Sequence, residues 1–513
     1  MLVKTYCGAV RGIVATKITI EVNVTQGIRF FIVGLADHAI RESQQRIESA
    51  LTHNEFGWPR YRVVINLAPA DIKKEGTHFD LPLAIGILAA TKQVNVSMLE
   101  EFLLLGELSL DGKVMPVRGV LPMVLMAREE GFRGVLVPER NVIEASAVDG
   151  IEVVPVADLG SAVSFLNGEL QVVRDRSSVN SRFVDLGEEV YDVDFAEVRG
   201  QEAVKRAMLI AAAGNHNLLL IGAPGSGKSM LARRLPTIMP PMTLDESLQT
   251  TIIHSVAGRV DPDEGLVRQR PFRTPHHSSS HIALIGGGSS PQPGEVSLAH
   301  NGILFLDELP EFQRHVLEVL RQPLEEREIR VSRAGYRVVY PSNFLLVTAM
   351  NPCPCGYYSH PEKECNCGPG IIKRYLSRIS GPLLDRIDMH MEVVPVPYSE
   401  LSKRADAERS EVIRKRVITA RTIQQQRFGS VQEVYSNAQM GPSLRKQFCT
   451  LDSRGHAILR NAMESLRLSA RGYDRILKVA RTIADLEGEE RIHPSHLSEA
   501  VHYRNLDREG WSG

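Results

Sequence analysis

The apolar run Leu218-Leu219-Leu220-Ile221 passes without a break into Gly222-Ala223-Pro224-Gly225-Ser226-Gly227-Lys228-Ser229. This is the pattern G-x-x-x-x-G-K-[ST]. It limits the possible folds more than any other feature of the chain, because its chemistry works only where a buried strand ends and a helix begins. A helical pattern starts at Met230, so strand, loop and helix agree and a chance glycine-rich turn is set aside. Glycines let successive backbone N–H groups close around an anion, aided by the positive end of the helix. Lys228 then reaches the β/γ oxygens of a polyphosphate, and Ser229 ligates Mg2+. Such a unit needs an α/β fold with a parallel sheet around it.

Two further strands extend the site. Gly302-Ile303-Leu304-Phe305-Leu306 delivers Asp307-Glu308 at its carboxyl end, where open α/β sheets bind their ligands. Adjacent acids there have separate tasks, Asp307 for magnesium and Glu308 to polarise an attacking water. The run from Phe344 to Met350 ends in Asn351, an amide that orients the same water without adding negative charge. Taken alone, Asn351 reads as a turn residue; its order after the other two motifs is what gives it a role.

At 513 residues the chain is too long for one hydrophobic core, and roughly 100–200 residues per domain predicts about three. A mixed α/β pattern fills 1–170, with strand-like runs over Thr16 to Val24, Tyr61 to Leu67, Phe102 to Leu110 and Gly134 to Pro138. The charged, Ser-rich stretch 171–193 reads as a linker, 194–397 as the phosphate-binding domain and 398–513 as a helical domain. Lys+Arg 60 against Asp+Glu 61 gives a net charge of −1, so any nucleic-acid contact must come from a local patch or a pore lining. The longest apolar stretch, Leu81 to Ala90, is broken by Pro82 and Gly86 and falls short of the ~20 residues of a membrane helix. No signal peptide precedes the first strand, and a cytoplasmic protein without membrane contact is expected.

Four of the six cysteines, Cys353, Cys355, Cys365 and Cys367, fall directly after Asn351. They are either the four soft ligands of a tetrahedral Zn2+ site, in tight C-x-C pairs, or buried or redox thiols. Cys7 and Cys449 read as packing residues. The stretch 327–340 reads as a hairpin turning at Ala334-Gly335, with Arg333 and Arg337 beside Tyr336. From Arg268 to Gly294 the chain contains no acid but carries Arg268, Arg270, Arg273, His276, His277 and His281. The histidines lack a neighbouring carboxylate or thiol in sequence and do not by themselves make a metal site.

The order of phosphate loop, Asp307-Glu308, Asn351 and Gly381-Pro382-Leu383-Leu384-Asp385-Arg386 resembles the magnesium-chelatase-like branch of the AAA+ ATPases. With Asn351-Pro352-Cys353-Pro354-Cys355-Gly356 and the amino-terminal His78-Phe79-Asp80-Leu81-Pro82-Leu83, nearly the whole chain is similar to ComM/YifB-type proteins. The resemblance implies a Lon-protease-like, RadA-like amino-terminal domain over 1–170, an AAA+ core with a helix-2 insert and presensor hairpin, and a helical lid. It implies ATP and Mg2+ as cofactors, a homo-hexameric ring, and single-stranded or branched DNA as partner.

Arg386 resembles the arginine finger that enters a neighbour's ATP site, with Arg378 as second candidate, and Arg471 resembles the second sensor on the lid. A cationic hairpin and insert suit phosphodiesters, which marks Arg333, Tyr336, Arg337 and Arg273 for DNA. Where a Lon-type protease would carry its Ser and Lys, the chain reads Thr77-His78-Phe79-Asp80 and Gly119-Val120-Leu121-Pro122, so proteolysis is not expected. The nearby Lys73, Lys74, Arg41 and Arg46 read as solvated surface, with DNA contact as the alternative. The function implied is an ATP-dependent helicase or branch-migration motor in recombination during natural transformation. The alternatives are a magnesium-chelatase ATPase subunit, or an ATP-dependent protease or protein-remodelling factor.

Overall fold

In the computed structural model, the apolar runs around the phosphate loop alternate between two cores. Leu218, Leu220, Ile303, Phe305, Leu345 and Val347 enter one apolar cluster, while Leu219, Ile221, Leu304, Leu306, Leu346 and Met350 enter another on the opposite face. With both faces covered, the strands Leu218–Gly222, Ile303–Leu306 and Leu345–Met350 are buried at every residue. Continuous apolar runs are what a parallel sheet between two layers demands. Five strands lie in the order Phe272–Arg273, Ile303–Leu306, Leu345–Met350, Leu218–Gly222, Met389–Val393, and every pair is parallel.

The structure describes residues 2–95, 97–169, 191–288, 291–333, 336–358, 360, 362–397, 407–429, 431 and 434–504. Of the expected linker, 171–190 lies outside them. Helix Glu202–Gly214 covers one sheet face, and the carboxyl-terminal helices Ser410–Phe428, Ser453–Leu466, Ala470–Leu486 and Pro494–His502 pack into the same cluster through Val417, Leu459, Ile483 and Leu497. One apolar core thus runs from the sheet into the helical module. Within it the buried Asp485 carboxylate accepts from Arg427 Nη1 at 2.8 Å, Arg481 Nε at 3.0 Å and Asn437 Nδ2 at 2.7 Å, enough partners to keep a charge in an apolar setting.

The amino-terminal module has its own core. Leu2–Arg11 pairs antiparallel with Val14–Thr25, which pairs with Arg62–Ala68, and Phe30–Val33 is the parallel edge strand. Ile18, Ile20 and Val22 point inward and Lys17, Thr19 and Glu21 outward, the two-residue period of a half-covered sheet. Beyond its first residue helix Asp80–Ala90 is apolar all round, and it is buried at every position, as such a helix must be.

The strand expected over Phe102 to Leu110 is divided into Phe102–Leu104 and Glu107–Leu108. Between them Gly106 lies so close to its neighbours that a Cβ would stand 2.5 Å from Val114 Cγ1. Phe102–Leu104 then joins Gly134–Pro138 and Glu152–Val156 in a separate parallel sheet. The tip of the first hairpin reaches the second module: Gly12, at φ +67°, is buried, and a Cβ on it would lie 2.3 Å from Val338 Cγ1. Among the described residues no helix is long and apolar enough to cross a membrane.

Of the residues expected at a solvated surface, one is inside this module and another, partly exposed, reaches into it. Lys74 is fully buried, donating to the Pro69 carbonyl. Arg46 holds the buried Asp80 carboxylate with two bonds of 2.7 and 2.9 Å, and Leu108 N–H adds a third at 3.3 Å. Arg46→Ala strands that carboxylate in the core, and the expected loss is about 3 kcal/mol. Urea unfolding of the module, followed through Trp58, reads this as a lowered midpoint; an unchanged midpoint would contradict it.

Candidate nucleotide site

Three strand ends meet at one edge of the sheet. Leu218–Gly222 turns into the loop at Gly222, where a Cβ would stand 2.3 Å from the Val393 carbonyl oxygen. Gly225 and Gly227 take φ values of +78° and +92°, the left-handed region that glycine enters without strain, and helix Lys228–Arg234 follows. Lys228 Nζ donates to the carbonyls of Gly222 at 2.8 Å and Ala223 at 2.9 Å, and to Asn351 Oδ1 at 3.2 Å. Burial lowers the ammonium's pKa, with the Asp307 and Glu308 carboxylates acting the other way.

From the end of Ile303–Leu306, Asp307 Oδ2 accepts the Ser229 hydroxyl at 2.5 Å. Glu308, at φ +51°, turns its carboxylate outward to within 3.3 Å of His277 Nδ1. The phosphate loop, the acid pair and the amide are therefore neighbours. Two residues that the motifs do not reveal also touch them. One is His277, whose carboxylate partner is distant in sequence. The other is Gln201, whose Nε2 donates to the Ser226 carbonyl at 2.9 Å.

Arg386 and Arg471 stand at the other end of the sheet. Asn217, just before Leu218–Gly222, donates its Nδ2 to the Arg386 carbonyl at 3.0 Å. The five-residue strand above it, rising ~3.3 Å per residue, puts about 16 Å between that edge and the phosphate loop. Arg386 is 4% exposed and donates to Glu325 Oε1 at 2.5 Å and to the Pro382 carbonyl. Arg471 approaches the same carboxylate oxygen at 3.4 Å.

Together with Arg327, Arg475 and Lys478 they line a cavity of about 360 Å³. Beside it Asp388 is held below the ordinary carboxyl range: burial acts upward, but the Arg475 cation at 3.1 Å, His216 and the Asn217 N–H outweigh it. Arg378 lies elsewhere, paired with Glu311 at 3.1 Å. Glu325, the shared partner of both arginines, has no local signal in sequence.

The hairpin pairs Glu328–Arg333 with Tyr336–Pro341, Arg333 opposite Tyr336. Its turn at Ala334-Gly335 and the side chains of Arg333 and Tyr336 lie outside the described residues; Arg337 is exposed on the second strand. The expectation of a cationic, flexible insert fails for two of its arginines. Arg270 is buried and bonds Glu246 at 2.9 Å and the Asn301 carbonyl at 2.6 Å. Arg273 sits in the edge strand of the sheet and clasps Glu295 with bonds of 2.6 and 2.9 Å. Glu295 is the residue immediately after the acid-free stretch, so the missing charge was one position beyond its boundary.

The four clustered cysteines come together. Cys353 Sγ lies 3.3 Å from Cys355 Sγ and 3.7 Å from Cys365 Sγ, Cys355 and Cys365 are 3.6 Å apart, and all four ligand atoms, Cys367 included, fall within 4.8 Å of one another. Four thiolates ~2.3 Å from a tetrahedral centre stand about 3.8 Å apart, so the donor set fits a zinc-sized ion. A bond from the Tyr357 N–H leads in bringing the Cys355 thiol down to about 6. Cys7 and Cys449 are buried packing residues whose thiols burial pushes up. In the amino-terminal module Thr77 donates to Glu107 at 2.5 Å and Asp80 is committed to Arg46.

Comparison with known proteins bears on all three modules. The family model described as magnesium chelatase, subunit ChlI, matches residues 194–401; subunit ChlI of Mg-chelatase matches 20–141, and its C-terminal model matches 407–504. The chain is 43% identical over 505 residues to the competence protein ComM of Haemophilus influenzae, with 98% of this chain and 97% of that one covered. It is 40% identical over 502 residues to the uncharacterized protein YifB of Escherichia coli, with 98% and 96% covered. The magnesium-chelatase 38 kDa subunit of Rhodobacter capsulatus is 27% identical over 241 residues, 43% of this chain and 60% of that subunit.

The clasp on Glu295 gives Arg273 a structural task within the sheet module. Arg273→Ala is expected to lower the stability of the sheet module by about 2 kcal/mol through the lost charged hydrogen bonds, seen as an earlier thermal transition. Weaker DNA binding at unchanged stability would reverse this assignment.

Proposed function

Since the chain belongs to the ComM/YifB family of magnesium-chelatase-like AAA+ proteins, we propose that it is a ring-forming ATPase that moves DNA, a helicase or branch-migration motor in recombination during natural transformation. The observation that carries the ATPase reading is the meeting of Lys228, Ser229, Asp307 and Asn351 at one end of the sheet while Arg386 and Arg471 gather at the other. In this reading residues Gly222 to Ser229 wrap the polyphosphate of ATP, and Lys228 exchanges its carbonyl partners for phosphate oxygens. Ser229 and Asp307 offer the hard oxygen donors that Mg2+ takes, and the ion supplies charge neutralisation on the phosphates when bound.

Asn351 orients the water, and Glu308 accepts its proton as oxygen attacks the γ-phosphorus and the bond to the bridging oxygen breaks. Neither Arg386 nor Arg471 reaches its own chain's phosphates across about 16 Å of strand. Each therefore serves the ATP of an adjoining copy, which ties turnover to a closed ring, a homo-hexamer by family likeness. Arg386 keeps a buried Nε without a hydrogen-bond partner.

The domain assignment is a Lon-protease-like module over 1–170, a linker over 171–193, the AAA+ core over 194–397 and a helical lid over 398–513. The DNA partner, single-stranded or branched, is supported by the competence protein among the relatives and by the hairpin, where Arg333, Tyr336 and Arg337 would meet backbone and base. The four cysteines hold a structural Zn2+, and thiolate ligation of this kind fits a reducing, cytoplasmic compartment.

The test is DNA-stimulated ATP hydrolysis and unwinding of a three-strand branched substrate. Glu308→Gln is expected to lower turnover by about 10²–10³-fold while nucleotide still binds, and Lys228→Ala to abolish binding. Arg386→Ala is expected to lose about 10³-fold, and mixing it with Lys228→Ala restores measurable turnover, because an intact loop on one copy meets an intact arginine on the other. No recovery on mixing would defeat the shared site, and turnover indifferent to DNA would defeat the motor.

A further inference from the structure

The cysteine loop follows the sheet without slack. Strand Leu345–Met350 ends, Asn351 contacts Lys228 at 3.2 Å, and only Pro352 separates it from the fully buried Cys353. Gly356, three residues on, sits at φ +84° with its N–H on the Cys353 carbonyl at 3.0 Å. A Cβ on Gly356 would stand 2.3 Å from Pro224 Cδ and 2.7 Å from Pro224 Cγ, and Pro224 is the third residue of the phosphate loop. The Tyr375 side chain is also buried.

Between Met350 and helix Pro369–Leu376 the described residues form no regular helix or strand. The clustered thiols close this segment on itself, with the Lys363 ammonium 4.9 Å from the centre of the Tyr357 ring as a second contact across it. A segment with neither backbone ladder nor apolar interior depends on its cross-link for a fixed shape.

We propose that a thiophilic divalent cation on Cys353, Cys355, Cys365 and Cys367 sets the affinity of the phosphate loop for nucleotide, by seating Gly356 against Pro224 and Asn351 against Lys228. This deepens the metal and nucleotide readings above and rests on both. The loop acts as a buttress whose stiffness the metal supplies. Its removal leaves the sheet and Lys228 in place but releases the wall behind Pro224, so the loop must order itself when nucleotide arrives and affinity falls by that cost.

The experiment uses the full chain carrying Glu308→Gln, so that ATP stays intact, and reads metal content by elemental analysis and ATP affinity by calorimetry. Zinc-loaded protein is expected to hold one ion per chain and to bind ATP about tenfold or more tightly than chelator-stripped protein, a difference of about 1.4 kcal/mol, with zinc restoring it. Gly356→Ala tests the contact without touching a ligand: metal stays bound and ATP affinity falls by a similar factor. Pro224→Ala removes the opposing ring, and its ATP affinity is expected to change less than about twofold on metal removal, so the coupling is lost in a way that general unfolding would not mimic.

Stoichiometric zinc with the same ATP affinity in loaded, stripped and Gly356→Ala protein overturns the coupling alone. A chain that takes up no zinc overturns the metal reading and the coupling with it, whereas ATP binding that survives Lys228→Ala overturns the nucleotide reading.

Discussion

Shared strand direction is the constraint on which the molecule depends. Because the five sheet strands are parallel, all their carboxyl ends lie on one edge and all their amino ends on the other. Gly222, Asp307 and Asn351 are brought together with no contact between them in sequence, simply because each ends a strand of the same sheet. Asn217 and Asp388 are gathered in the same way at the opposite edge, beside Arg386. An antiparallel exchange of any central strand would mix the two sets. The separation of phosphate ligands from arginines is therefore a property of topology before it is one of side chains.

Charge inside this fold is tolerated only where it is answered. Asp485 has two guanidinium partners, and Arg270 has Glu246. Removing one partner of such a pair costs far more than an exposed ion pair would suggest, because the survivor cannot reach water. Lys228 differs in kind. Burial weakens its charge and its hydrogen bonds go to neutral groups, an arrangement that leaves it under-compensated and receptive to an anion. The structural pairs are closed circuits, whereas this ammonium is an open one.

What could be read from sequence follows the range of the interaction concerned. The phosphate loop, the acid pair and Asn351 are signalled by residues within a few positions of each other, and their strands fall within a residue or so of Leu218–Gly222, Ile303–Leu306 and Leu345–Met350. The hairpin register and the cysteine cluster are equally local. The ion pairs of Arg273 and Arg46 are not legible locally, because Glu295 lies 22 positions from the first and Asp80 lies 34 from the second. The break at Gly106 depends on Val114 arriving from another strand. His277 on Glu308 and the joint hold of Glu325 on Arg386 and Arg471 are tertiary facts that no spacing rule encodes. The helical module looked separable by periodicity, yet its apolar faces close the same core as the sheet.

Hairpin tips are ordinarily where a protein accepts grafts, since nothing packs on them. The turn at Gly12 is an exception, a peg fitted into a socket beneath Val338. An epitope or fluorescent fusion threaded there would wedge two modules apart, and the damage would surface in the distant hairpin rather than in the strands that carry the graft.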